Sequence, residues 1–241
     1  MRVGMFDSGI GGLTILNQFL KIHPNNEYIY YGDTKNMPYG SKSKEELLNI
    51  GRNVINFLIS KKVDIIIVAC GTLSSNVYEE LKKEYNIPIY DIIRPVIEEL
   101  KETNIKRVLL LGTEKTIESK KFENKIKNAG IHVDAKACPK FAPILEGKVK
   151  DDINIVIQDY LYDYKGMNLD CIIPGCTHYH LLNKEISDYM EVKTLNIGEI
   201  LTRRIPIKYS ISGLELYFNV VTSETEKNIN NIIGDCEIKK P

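Results

Sequence analysis

The stretch VDIIIVACGT, residues 63 to 72, holds an unbroken apolar run, Ile65 to Val68, that stops at a cysteine and a glycine. Apolar residues without polar alternation are the mark of a strand covered on both faces, as in a parallel sheet between helices. Working outward, RVGMF (2–6), EYIYYGD (27–33), IPIYDI (87–92), KRVLLLG (106–112) and LDCIIPG (169–175) read as further strands. LTILNQFLKI (13–22) and KEELLNIGRNVINFLISK (44–61) carry apolar residues at helical spacing. In the second, Leu47, Leu48, Val54, Ile55, Leu58 and Ile59 form the expected buried face. Alternating strands and helices predict an α/β fold with largely parallel sheets flanked by helices, whose ligand sits beyond the carboxyl ends of the strands.

The same stretch has an echo. LDCIIPGCTH, from Leu169, repeats its Asp in second place and its Cys in eighth. RVLLLGT, from Arg107, repeats RVGMFDS, from Arg2, at an interval that agrees within one residue. Two similar α/β lobes follow, with the active site in the cleft between them. The echo pairs Ser8 with Thr113, Cys70 with Cys176 and Thr72 with His178. YDIIRPVIEEL (90–100) is the expected link between lobes, with Pro88 and Pro95 at its edges.

Composition narrows the function. Thirty-two basic residues balance thirty-two acidic ones with no long basic block, so nucleic acid is not the expected partner. SKSKEE and KKFENKIK read as solvated helix faces. No apolar run is long enough to span a membrane, and the N-terminus lacks the pattern of a signal peptide. Five cysteines, an odd number without regular spacing, argue for free thiols and a cytoplasmic setting.

Cys70 and Cys176 each end a strand where a loop of small residues begins. A lone strand cysteine is usually an inert small hydrophobe. Here both occupy the same position in the echo, and each has a candidate helper, Asp7 for Cys70 and His178 for Cys176. A thiol needs such help to act as a base. Two opposed thiols suit proton transfer at a carbon stereocentre, one removing the proton from one face while the other donates to the opposite face. Ser8, Thr72, Thr113, Thr116 and Thr177 are candidate donors to the substrate carboxylate, although such hydroxyls are individually commoner as helix caps. Cys138, Cys171 and Cys236 read as structural, and His23 and His132 as surface residues.

FDSGIGGL fails as a dinucleotide fingerprint, because Thr14 stands where the third glycine is due. Its glycines allow a tight turn before a helix N-terminus instead. Cys171, Cys176, His178 and His180 could suggest zinc, but Cys171 and Cys176 are an odd number of steps apart and point to opposite faces of an extended chain. No metal is expected.

FDSGIGGL, YGDTKNMPYG, VACGT, LGTEKTIES and PGCTHYHLL, with weaker NIGEILTRR and VVTSETE, resemble the cofactor-independent aspartate/glutamate racemase family, nearest its glutamate-specific members, over nearly the whole chain. The resemblance implies interconversion of L- and D-glutamate without a cofactor, supplying D-glutamate for peptidoglycan. It gives Cys70 the D-isomer and Cys176 the L-isomer, assisted by Asp7, His178 and, in FAPILEG, Glu146. It implies substrate contacts from Ser8, Pro38, Tyr39, Gly40, Gly71, Thr72, Thr116 and Thr177. It also implies a first lobe of residues 1–93 with 207–241 and a second of 94–206. Three departures stand out: Gly71 where the family usually has asparagine, which loses an amide and puts side-chain specificity in question; His180 in place of proline; and Asn196 with Ile197 in place of an acidic and a small residue.

Rival readings are a racemase for aspartate or another amino acid, a Cys-His hydrolase or acyltransferase using Cys176 alone, and a small-acid sensor. The expected partners are an amino-acid substrate and a second copy of the chain in a homodimer.

Overall fold

Ile65–Val68 has no polar side chain to turn toward water, and all four residues are buried in a strand. The structure, a computed structural model, describes residues 1–208 and 211–241. Among the described residues, strands numbered in chain order form two sheets. The first runs β4 (Ile89–Asp91), β3 (Ile65–Val68), β1 (Arg2–Asp7), β2 (Glu27–Gly32), β8 (Gly213–Phe218) and β9 (Ile238–Lys239). The second runs β6 (His132–Ala137), β5 (Arg107–Gly112) and β7 (Cys171–Pro174). Every pairing is parallel.

The internal echo is a register. Val3 stands opposite Ile65 on β1 and β3, and Val108 opposite Cys171 on β5 and β7. The match extends to a third strand that the sequence conceals: Arg2 faces Glu27 and Arg107 faces His132, although EYIYYG and HVDAKA share no residue in register. The repeated aspartate has a local job. Asp64 accepts the Arg2 N–H at 2.7 Å, and Asp170 accepts that of Arg107 at 2.8 Å, so each ties its strand to the central one. The lobes are unequal, because β8 and β9 return from the C-terminal segment to extend the first sheet. The second sheet adds only an isolated bridge between Ile172 and Thr194.

Helix Lys44–Ser60 starts at Ser43, whose hydroxyl accepts the Glu46 N–H while the Glu46 carboxylate accepts the Ser43 N–H. Such reciprocal capping satisfies two donors that a helix start leaves orphaned. Its buried stripe is Leu47, Gly51, Val54, Ile55 and Leu58, while Leu48 is half-buried and Ile59 is 40% exposed. The face is thus narrower than the apolar pattern suggested. Gly51 lets Leu81 of helix Tyr78–Glu84 pack directly on the backbone, since a Cβ there would lie 2.5 Å from Leu81 Cδ1.

The segment expected as a link is itself helical, Ile93–Lys101. Pro95 lies in its first turn, where a missing N–H costs no hydrogen bond, and so does not mark an edge. Ile93, Val96, Ile97 and Leu100 join a core that includes Val3 and Met5 of one sheet and Val108 and Leu110 of the other. A single apolar cluster therefore spans both sheets. No described helix is long and apolar enough to cross a membrane.

Candidate active site

In both sheets the central strand and the echoed neighbour end in a site residue: Asp7 on β1, Thr113 just past β5, Cys70 two residues past β3 and Cys176 two past β7. Cys70 is the N-cap of helix Gly71–Asn76, and Cys176 is the N-cap of the 3-10 turn Thr177–Leu182. Both thiols line one cavity of about 120 Å³, together with Asp7, Ser8, Pro38, Tyr39, Gly40, Thr72, Thr113, Thr177 and His178. The strand-end cysteines of the two lobes thus share one space. Among the described residues no lysine or arginine lines it, so a bound carboxylate would meet hydroxyls and backbone N–H groups.

The lobes are clasped around this cavity by hydrogen bonds. The Thr177 hydroxyl donates to Asp7 Oδ2 at 3.1 Å, and the Gly12 N–H donates to the same oxygen at 2.8 Å. Asp7 Oδ1, fully buried, has no protein partner among the described residues. The Ile10 N–H donates to Glu146 Oε1 at 3.4 Å, and the Thr72 and Thr113 hydroxyl oxygens lie 3.1 Å apart.

Cys176, His178 and Glu146 form a relay. The Cys176 Sγ is 3.9 Å from His178 Nδ1, and His178 Nε2 is 2.7 Å from Glu146 Oε1, with His178 and Glu146 both buried. Burial alone would pull the imidazole pKa down. The hydrogen bonds to Cys176 and Glu146 outweigh it and hold His178 well above its ordinary value. Burial likewise pushes Glu146 up, and its bond to His178 reverses this to leave the carboxyl lowered. The two directions agree: each favours an imidazolium facing a carboxylate. Cys70 differs, since burial and then the Asp7 carboxylate push its thiol well up, against the backbone N–H groups of Leu73 and Thr72.

A raised His178 pKa contributes stability that is complete below the ordinary imidazole value and is lost as pH rises through the folded-state value. Replacing Glu146 by Gln removes one of the two groups that hold the imidazole up. His178 is expected to titrate at lower pH in that variant, so the loss of stability, which begins near the ordinary imidazole value in both proteins, should be smaller and should end at lower pH. Imidazole ¹⁵N–¹H NMR across the pH range checks this; an unmoved His178 titration would show that Glu146 is not its controlling partner.

Several expected contacts differ in detail. The Tyr39 hydroxyl donates to Asp33 Oδ2 at 2.7 Å, so Tyr39 faces the cavity with other atoms. Asp33 also receives the Asn36 amide and that of Asn219 at the end of β8, which folds YGDTKNMPYG around one carboxylate. Thr116 is buried behind Thr113, its hydroxyl 3.0 Å from that of Thr113 and its N–H capped by it. Glu146 stands behind His178, outside the lining, as does Gly71. The lining also includes Met37, Ser41, Glu114, Pro139, Ala142 and Pro143. Met37, Glu114, Ala142 and Pro143 lie within segments already singled out, and Ser41 and Pro139 directly follow Gly40 and Cys138.

Cys171 packs in the core cluster with Ile173, and Cys176 in the one with Ile172, on opposite sides of β7. All five cysteines are free. Among the described residues no three His, Cys, Asp or Glu side chains gather as metal ligands. His132 is exposed, whereas His23 is half-buried and its Nε2 lies 2.9 Å from the Thr202 carbonyl oxygen. Asn196 caps helix Ile197–Arg204 through its side chain, and Ile197 is buried. Burial pulls His180 down to about 4, which keeps its ring neutral.

Fold and cavity together define a two-lobed α/β protein with a cysteine from each lobe at a shared cleft. The family model for Asp/Glu/Hydantoin racemase matches residues 14–205, and the chain belongs to that family. The glutamate racemase of Aquifex aeolicus is 39% identical over 242 residues, covering 98% of this chain and 95% of the relative. The solved glutamate racemase of Aquifex pyrophilus superposes with a TM-score of 0.85 at 38% identity, covering 100% of this chain and 98% of that one. That of Francisella tularensis, solved in complex with D-glutamate, gives 0.86 at 26% identity, covering 100% and 97%.

Proposed function

We propose that this protein interconverts L- and D-glutamate by passing the Cα proton between Cys70 and Cys176. The observation that carries this reading is the single cavity lined by both thiols. In the direction from the L-isomer, Cys176 acts as thiolate beside His178 and takes the Cα proton, and the C–H electron pair stays on the substrate as a carbanion delocalised into its carboxylate. The Cys70 thiol then gives its proton to the opposite face, leaving Cys176 as thiol and Cys70 as thiolate, the arrangement that acts on the D-isomer. Asp7, with one oxygen unpaired, is the group available to take or return the Cys70 proton.

Charge develops on the substrate carboxylate as the proton leaves. Hydroxyls of Ser8, Thr72 and Thr113, with loop N–H groups, are the donors placed to stabilise it, while the Thr177 hydroxyl is turned to Asp7 and leaves that residue its backbone N–H; fixed donors of this kind lower the barrier because they need no reorganisation. Pro38, Tyr39 and Gly40 close the cavity on one side, and Thr116 supports Thr113 from behind. The Aquifex relatives and the D-glutamate complex favour glutamate over aspartate. We place the lobe division at residues 1–93 with 207–241 against 94–206, and the product in peptidoglycan assembly. The free thiols suit the cytoplasm, and the working form is taken to be a homodimer.

Circular dichroism with both enantiomers of glutamate and aspartate tests the substrate. The glutamate signal is expected to decay to zero from either side while the aspartate signal stays near its starting value. A steady glutamate signal would remove the proposal, and decay with aspartate alone would reassign the substrate.

A further inference from the structure

The contact between the two thiol-bearing turns is made by two glycines. A Cβ on Gly71 would lie 1.9 Å from the Gly175 carbonyl oxygen, 3.0 Å from its carbonyl carbon and 3.6 Å from Cys176 Cα. Gly71 directly follows Cys70, and Gly175 directly precedes Cys176. The backbone of one cysteine's turn therefore rests on the backbone of the other's.

Neither side can yield locally. The Gly175 N–H donates to Leu111 O at 2.7 Å and shares Ile173 O at 3.0 Å. A Cβ on Gly175 would meet Leu111 O at 2.7 Å, so this peptide is already pressed against β5. On the other side Gly71 opens a helix whose Leu73 and Ser75 are fully buried, and the Ser74 N–H binds the Cys70 carbonyl at 2.9 Å. A carbon–oxygen contact is comfortable only from roughly 3.3 Å. Any side chain at position 71 must then separate the two turns by more than about 1 Å, and the sulfurs with them.

We propose that Gly71 is a positioning residue: its lack of a side chain sets how near the Cys70 and Cys176 turns approach, and hence the spacing of the thiols across the substrate carbon. This rests on the racemase reading above. It also replaces the expectation that Gly71 matters through a missing amide contact to substrate. A displacement near 1 Å at a reacting centre costs on the order of 100-fold in rate, and partial relaxation reduces that toward tenfold.

The test compares Gly71→Ala and Gly71→Asn with the unaltered protein. Glutamate kcat and KM are measured, with iodoacetamide alkylation of Cys70 and Cys176 followed by peptide mass spectrometry and thermal unfolding as a control on folding. Both variants are expected to lose about 10- to 100-fold in kcat with KM changed much less, and to alkylate faster at both cysteines, while still unfolding cooperatively. Asn should do no better than Ala, because both place a Cβ against Gly175. Alanine at the unaltered rate, or asparagine faster than glycine, would overturn the inference. So would lost activity with unchanged alkylation in a folded variant, or variants that do not fold, since the contact would then serve stability rather than thiol spacing. An unaltered protein that does not racemise glutamate would instead count against the function itself.

Discussion

Cys70→Ser and Cys176→Ser are each expected to lower glutamate racemisation by about 10³-fold or more, within the range ascribed to a positioned acid or base. The reason is symmetric. Each direction of the reaction needs one sulfur as base and the other as acid, so neither cysteine is spare. A serine hydroxyl keeps the shape of the site but is a far poorer source of an anion. The buried surroundings, which already push the Cys70 thiol up, would penalise an alkoxide further. The comparison separates the two-thiol reading from a hydrolase or acyltransferase that uses Cys176 alone. In that case Cys70→Ser would leave turnover nearly intact, and Cys176→Ser would remove it. Circular dichroism of both variants with L- and D-glutamate gives the answer.

His178→Asn is expected to lower kcat/KM by about 10² to 10³, and by the same factor from either enantiomer. Asparagine keeps a polar side chain near Cys176 and Glu146 but cannot carry the proton or the positive charge that the 2.7 Å bond to Glu146 supports. Because His178 touches only Cys176 of the two thiols, intuition suggests a one-sided defect. Thermodynamics forbids it in kcat/KM: enantiomers have equal free energy, so the two kcat/KM values are equal in every variant. The asymmetry can show only in kcat and KM taken separately. Progress curves from pure L- and pure D-glutamate test this. Full activity in the variant would remove His178 from the relay, and unequal kcat/KM values would mean that the reaction is not a simple racemisation.

The parts of this account legible in the sequence are those written as periodicity and repetition. The apolar run at Ile65–Val68 and its counterpart in β7 needed only strand logic, and the echo anticipated a shared register. Cys70, Cys176, His178 and Asp7 stood out because strand ends and short spacings expose them. What stayed hidden depends on distant packing. The β2–β6 correspondence lies in backbone pairing alone, because the two strands share no residue in register. Glu146 has no local pattern and came only from resemblance, since its partner lies 32 positions away. The Tyr39 hydroxyl turns to Asp33 because the loop folds back on that carboxylate. Gly71 could be read from sequence only as a missing amide; its closeness to Gly175 exists only once the two lobes are set face to face.

The most direct measurement follows L-glutamate in deuterium oxide, sampled early and resolved by enantiomer with mass spectrometry. Two thiols on opposite faces predict D-glutamate carrying one deuterium at Cα, drawn from the solvent-exchanged Cys70, while unreacted L-glutamate stays unlabelled. D-glutamate that retains the original proton would mean one group serving both faces, and would contradict the account.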